Sequence, residues 1–282
     1  MVIHSRLAVR PVTLEDVSHE LRAIAQETLQ IVKQGGYRAV SGREVRLAEG
    51  VAHAVAGTRL YLPAEEVAVS APAGAAPAVR VTNETTLSAA RRLGDGVAGL
   101  VFASAKSPGG GFLNGAQAQE ESIARASALY ACQTAVPQFY TFHRQQRDLR
   151  YSDQVIYSPA VPVFRGDDGM LLPRPYPVSF LTAAAPNLGA VIAAQPELAC
   201  AVPAMLGARA ARVLQVAAGH GHRLLVLGAW GCGVFRNDPV LVAGIFADLL
   251  ARSGGWFDQV VFAVHDRQPG TPTYAAFASA LT

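Results

Sequence analysis

Three short apolar runs constrain the fold of this chain more than any other feature: Gly96–Ser104 (GVAGLVFAS), Arg223–Gly231 (RLLVLGAWG) and Gln259–Val264 (QVVFAV). Each is bounded by turn residues and shows no polar alternation, as expected of strands covered on both faces. Stretches with helical spacing lie between and around them. This alternation predicts an α/β fold of three layers, with a largely parallel sheet between helices. In such sheets ligands bind at the loops that follow the C-terminal ends of the strands.

The remaining elements are read more locally. Leu14–Gln34 is an amphipathic helix, with Thr13 as its cap and Gly35-Gly36 as its end. The stretch up to about Pro63, with VRLAEGVAHAV in its middle, is ambiguous and is read as a short strand plus turn. Ser70–Ala78 (SAPAGAAPA) is a loop or internal linker. AVRVTN, ending at Asn83, is a strand, and a helix follows to Leu93. After Pro108–Gly115 one helix is expected from Ala116 to Thr134. QVIYSP and PVSFLTAA are strands, and an Ala-rich helix spans Pro196 to Ala218. Asp238 caps a helix to Leu250, with Pro239 in its first turn, and a short helix closes the chain. The expected organisation is a mostly helical N-terminal extension (1–75) packed on a core (76–282), together one compact unit.

Composition narrows the function classes. With 51% hydrophobic and 16% charged residues, the chain is expected to fold rather than to stay disordered. A net charge of +3 is too weak to argue for direct nucleic-acid binding, and it is compatible with an anionic small molecule or polymer held at a local site. Cys132, Cys200 and Cys232 are odd in number and lack C-x-x-C spacing. A disulfide framework is therefore not expected, and a reducing, cytoplasmic compartment fits. MVIHSRLAVRPVTLEDV lacks the apolar centre of a signal peptide. No apolar stretch reaches the roughly 18 residues of a membrane span. No histidine–carboxylate group has metal-ligand spacing, so neither metal nor cofactor is expected.

Two loops and one motif carry the candidate chemistry. Gly109, Gly110 and Gly111 suit a backbone that approaches a ligand closely and offers it N–H groups; a flexible connector is the plain alternative. Gln119, Glu120 and Glu121 follow on the next helix. Neighbouring helical residues point roughly 100° apart, so the two carboxylates cannot clamp opposite faces of one sugar as a usual glycosidase pair does. One can meet a scissile bond while the other contacts a hydroxyl, or both can simply complement the helix N-terminus. The second loop, Gly228–Phe235 (GAWGCGVF), precedes a helix and suits phosphate. It lacks the Lys and Ser/Thr of a P-loop, which excludes an ATPase reading. Cys232 would need a base to act as a nucleophile, and His220 and His222 precede the strand and belong at its opposite end. His265 and Asp266 close the last strand, where core or turn roles compete with a place near the site.

The segment GGG-FLNGAQA-QEE, Gly109 to Glu121, resembles the signature of poly(ADP-ribose) glycohydrolases. FASAKSPGGGFLNGAQAQEESIARASALY, VIYSPAVPVFRGDDGMLL, PYPVSFLTAAAPN and VLGAWGCGVFRNDP are similar to the bacterial type. The resemblance runs from about Val81 to Asp266, and the first 75 or so residues match less distinctly. It implies a macrodomain-like fold, a mixed sheet between helices with ADP-ribose across the strand ends. It implies hydrolysis of ribose–ribose bonds in poly(ADP-ribose), with Glu121 as the catalytic acid/base and Glu120 orienting a ribose hydroxyl. Gln119 belongs to the same motif. By the same resemblance Gly109–Gly111 lie against diphosphate and terminal ribose, Gly231, Cys232, Gly233 and Val234 wrap the diphosphate, and Phe235 packs on the ribose. Some relatives carry an asparagine just before the glycine run, where this chain has Ser104 and Ser107; Asn114 is the weaker substitute. Poly(ADP-ribose), ADP-ribose and ADP-ribosylated proteins are the expected partners of a monomer. The alternatives are a macrodomain that binds ADP-ribose without cleaving it, and a hydrolase of singly modified proteins.

Overall fold

A computed structural model describes residues 14–70, 75–252 and 254–281. Thr13 and part of the Ser70–Ala78 loop lie outside the described residues. The chain begins with helix α1 (Leu14–Gln34), a small hairpin of β1 (Gly36–Arg38) and β2 (Glu44–Arg46), helix α2 (Ala48–Gly57) and strand β3 (Arg59–Tyr61). Strand β4 (Ala78–Thr82), helix α3 (Thr86–Leu93) and strand β5 (Val97–Phe102) follow, then α4 (Gln119–Ala126), α5 (Leu129–Thr134) and α6 (Pro137–Gln145). Two long strands come next, β6 (Val155–Arg165) and β7 (Leu171–Ala183). The chain closes with α7 (Leu188–Ala194), α8 (Val202–Gly219), β8 (Leu224–Leu227), α9 (Pro239–Arg252), β9 (Gln259–Ala263) and α10 (Pro272–Leu281).

Seven strands form one mixed sheet in the order β3-β6-β7-β5-β8-β9-β4. The five from β7 to β4 are parallel, while β3, β6 and β7 pair antiparallel. The apolar runs sit at the centre because both of their faces are covered. Ala98, Leu100, Leu225, Leu227, Val260 and Phe262 pack against α8, α9 and α10. Their sequence neighbours Val97, Val101, Val226, Val261 and Ala263 pack against α2, α3, α4 and α5. The period-2 alternation therefore separates two apolar layers rather than core from solvent. Burial of each Val, Leu or Phe side chain among them contributes about 1.5–3 kcal/mol. Among the described residues no helix is long and apolar enough to cross a membrane.

The structure corrects three local expectations. VRLAEGVAHAV is a strand followed by a helix: α2 buries Ala54 completely, and Gly57 lies so close to Pro159 of β6 that a Cβ there would come within 2.6 Å of its ring. The helix expected from Ala116 to Thr134 starts only at Gln119 and breaks at Ser127, which is extended and bridges Val163 of β6. The Ser127 hydroxyl donates to Ile123 O at 2.7 Å and accepts from Leu129 N at 3.2 Å, so one side chain ends α4 and starts α5. The Ala-rich helix is a 3₁₀ turn over Pro196–Ala201 followed by α8. The stretch 1–75 also supplies β3, which is hydrogen-bonded to β6 at the edge of the main sheet.

Candidate active site

The five parallel strands all end at one edge, and the two glycine-rich loops follow its central pair, β5 and β8. Past Phe102, Ala103 N donates to Ala183 O and prolongs the pairing with β7. The Ser104 hydroxyl then accepts from Lys106 N at 3.3 Å and Ser107 N at 3.2 Å, turning the chain over the strand end. Gly109 (φ 66°) and Gly110 (φ 58°) are left-handed, which favours glycine at both positions. Phe112 is fully buried and anchors the loop against Ala25 of α1 and Ala124 of α4.

The amides of this loop are spent inside the protein. Gly109 N donates to Gln133 Oε1 at 2.7 Å, Gly110 N to Ser107 O at 3.0 Å and Gly111 N to Glu121 Oε1 at 2.9 Å. The expectation that the glycine run offers N–H groups to a ligand is therefore corrected. Its glycines answer to crowding: a Cβ at Gly110 would overlap Glu121 Oε1 and lie 3.1 Å from Glu120 Oε2.

Helix α4 sets the motif side chains in three directions. Gln119 turns back to β5, where Oε1 accepts from Phe102 N at 2.8 Å and Nε2 donates to Leu100 O at 2.7 Å and Thr86 Oγ1 at 3.0 Å. Its amide fastens the helix start to the sheet. Glu120 is buried; Oε2 accepts from Ser104 N at 2.6 Å and Oε1 from Gln133 Nε2 at 2.9 Å. Burial, with help from the neighbouring Glu121 charge, pushes its carboxyl up to about 8 against the pull of these hydrogen bonds. Glu121 keeps 9% exposure, and its Oε1 lies against Gly110. One turn on, buried Arg125 donates from Nη1 to Ala116 O at 2.7 Å and holds the segment entering α4. Burial lowers the Arg125 pKa, and the Glu121 charge opposes that shift.

The second loop is built from a buried anchor and an open crest. Trp230 is fully buried, with Nε1 donating to Ala183 O at 3.0 Å. Gly231 (φ 74°) lies so close to Asn237 that a Cβ would come within 2.5 Å of its Nδ2, which donates to Pro186 O at 2.9 Å and Gly231 O at 3.1 Å. Cys232 N donates to Ala229 O, but the amides of Gly231, Gly233, Val234 and Phe235 have no acceptor among the described residues. Val234 is 86% exposed on the crest. Asp238 caps α9 through Val240 N at 2.9 Å, as its sequence suggests. The loop thus presents unpaired N–H groups just ahead of a helix N-terminus, an arrangement that favours an anion. The Phe235 ring lies 6.0 Å from that of Tyr151, at the flank of the loop.

Other candidates take no part in acid chemistry. Burial, followed by the Asp238 charge, pushes the Cys232 thiol up to about 12, which removes it as a nucleophile at neutral pH. His222 binds Gly96 O, and His220 stacks on Tyr157, both at the opposite end of the sheet. Asp266 accepts from Gln268 N, Thr273 N and Tyr274 N, a turn and cap role. Asn114 is exposed and lies beside α1, where its carbonyl accepts from Ser18 Oγ at 3.3 Å. A cavity of about 640 Å³ runs from Gln119 and Ser122 past Cys232 and Gly233 to His265 and Asp266. That volume suits a nucleotide-sized ligand. The two glutamates lie under the glycine run rather than in the cavity wall. Among the described residues no three His, Cys, Asp or Glu side chains cluster to hold a metal ion.

Sequence reasoning missed Gln133, Arg125, Trp230 and Asn237, all buried and all bonded to site backbone or carboxylate. The only signal was a polar residue in an apolar context, as for Gln133 in ALYACQTAV.

The family described as "Microbial-type PARG, catalytic domain" matches residues 25–166. The crystal structure of poly(ADP-ribose) glycohydrolase from Thermomonospora curvata is 54% identical and covers 93% of this chain and 100% of that one, with a TM-score of 0.86. The same enzyme bound to the inhibitor ADP-HPD is 52% identical over 93% and 99% of the two chains, with a TM-score of 0.84. The glycohydrolase from Deinococcus radiodurans in complex with ADP-ribose is 47% identical over 84% and 98%, with a TM-score of 0.77. No curated protein matches the chain.

Proposed function

The chain belongs to the microbial-type poly(ADP-ribose) glycohydrolases, and from that premise we propose how its residues divide the work. The enzyme is a glycosidase that hydrolyses poly(ADP-ribose) and releases ADP-ribose. The bond it cuts joins the anomeric carbon of one ribose to the 2′-oxygen of the next.

In our reading, protonated Glu121 donates to that leaving oxygen as the bond to the anomeric carbon breaks. The sugar takes on oxocarbenium character, and the substrate's own diphosphate stabilises the charge. Ionised Glu121 then accepts a proton from the attacking water, so one carboxyl serves as acid and afterwards as base. Glu120 accepts or donates a hydrogen bond to a ribose hydroxyl and fixes the sugar's orientation. The diphosphate lies on the unpaired amides of Gly231, Gly233, Val234 and Phe235, and the Phe235 ring packs on the ribose. Gly109–Gly111 supply a surface without side chains against which the terminal ribose rests.

The observation that carries this reading is the placement of Glu121. It is nearly buried, held through Oε1 by Gly111 N, and seated in the space that the missing Cβ of Gly110 leaves free, which fixes its carboxyl beside the glycine run. Glu120 meets the same glycine from beneath, so the pair converges on one side of the site instead of flanking a sugar. That geometry supports single-carboxyl catalysis over the usual two-carboxylate mechanism.

The proposal extends to a monomer that acts in the cytoplasm on polymer and ADP-ribosylated proteins without binding nucleic acid directly. A site assembled from one chain, cysteines that are all free, and a net charge of +3 support it. Incubating the protein with labelled polymer and separating the products tests the activity. Monomeric ADP-ribose is expected. Polymer that is bound but uncut would favour a reader, and preferential release from singly modified protein would favour the mono-ADP-ribose hydrolase.

A further inference from the structure

We infer that Gln133 is a positioning residue of the reaction, holding Glu120 and the glycine run in a single register; this rests on the glycohydrolase reading above. Gln133 lies on α5, outside the glycine-glutamate motif, and is completely buried. Its polar atoms all go to parts of the site. Nε2 donates to Glu120 Oε1 at 2.9 Å and reaches Thr182 Oγ1 of β7 at 3.5 Å, while Oε1 accepts from Gly109 N at 2.7 Å. One side chain thus ties the carboxylate of α4, the first glycine of the loop and the end of a central strand.

The chemistry of the amide makes this tie specific. A carboxylate needs a donor facing it and a backbone N–H needs an acceptor, so the amide has one productive orientation and a flipped one loses both bonds. An apolar replacement removes the acceptor of Gly109 N and the side-chain donor to Glu120 Oε1 in a dry setting. The groups facing Glu120 are the Glu121 carboxyl on its own helix, Ser104 N at the end of β5, Gly109 N of the glycine run, Gln133 on α5 and the buried Tyr140 hydroxyl of α6. Burial raises the Glu120 carboxyl, and the Gln133 N–H opposes that rise. Loss of this donor raises it further, so any pH dependence owed to Glu120 moves to higher pH.

The test measures ADP-ribose release from polymer between about pH 5 and about pH 9 for the unaltered protein, Gln133→Leu and Gln133→Glu, with ADP-ribose binding in parallel. Gln133→Leu is expected to lose roughly tenfold to a hundredfold in kcat, to shift its profile to higher pH and still to bind ADP-ribose. Gln133→Glu offers the amide's donor only while protonated. Its activity should be highest at the acid end of that range and fall toward the alkaline end, where a second anion faces Glu120. A Gln133→Glu protein with the unaltered pH profile overturns the inference. So does a folded Gln133→Leu protein that cuts at the unaltered rate. If Gln133→Leu does not fold, the Gln133→Glu profile decides in the same two directions. Failure of the unaltered protein to cut polymer overturns the reading underneath, and is told apart because no substitution is involved.

Discussion

The loops after β5 and β8 are both rich in glycine, yet they use it in opposite ways. In the first, the amides of Gly109, Gly110 and Gly111 all donate within the protein, and glycine is required because Phe112, the Glu121 carboxyl and Ala116 crowd the three Cβ positions in turn. In the second, the amides of Gly231, Gly233, Val234 and Phe235 find no acceptor among the described residues and lie ahead of α9. Glycine content therefore does not identify an anion site; the fate of each N–H does. In the proposed reading the first loop seats the acid, while the second supplies fixed dipoles for a diphosphate.

The largest effect that would sharpen this contrast comes from the carboxyl itself. Glu121→Gln should lose roughly 10²-fold to 10⁴-fold in polymer hydrolysis, with ADP-ribose still bound. A loss below about tenfold in a folded variant counts against the assignment. Gly110→Ala comes next. Its Cβ would displace the Glu121 carboxyl from a left-handed position, and misplacement of about 1 Å costs on the order of 10²-fold in rate. Binding of ADP-ribose should fall far less, because the anion contacts lie in the other loop; equal losses of rate and affinity would break the division. Smaller again is Gly231→Ala, which strains a φ of 74° and crowds Asn237 Nδ2 and Ala185 Cβ. There ADP-ribose affinity should drop about tenfold, equivalent to about 1.4 kcal/mol, measured by calorimetry. Gly244→Ala on α9 is the control, since a Cβ there meets nothing within 4 Å and lies outside the site, and its affinity should stay within about twofold.

The same contrast explains what the sequence made legible. The three apolar runs marked the sheet because strands covered on both faces leave an unbroken apolar signature, and β5, β8 and β9 lie where that signature predicts. The motif marked the site because three glycines and two glutamates are costly to keep without a reason. The reason for the glycines was misread, since a run needed for its N–H groups and a run needed for its lack of Cβ look identical in sequence. The break at Ser127 depends on pairing with Val163, and the helix of α2 depends on packing against β6; neither partner is near in the chain. Gln133 and Asn237 were invisible as site residues because single buried amides carry no spacing pattern.

Amide hydrogen exchange with and without ADP-ribose tests the contrast at its source. The account predicts that Gly109, Gly110 and Gly111 are protected already in the free protein, and that Gly233, Val234 and Phe235 become protected only when ligand is added. Free exchange at Gly109–Gly111 that ligand suppresses, with no change across Gly233–Phe235, would contradict it.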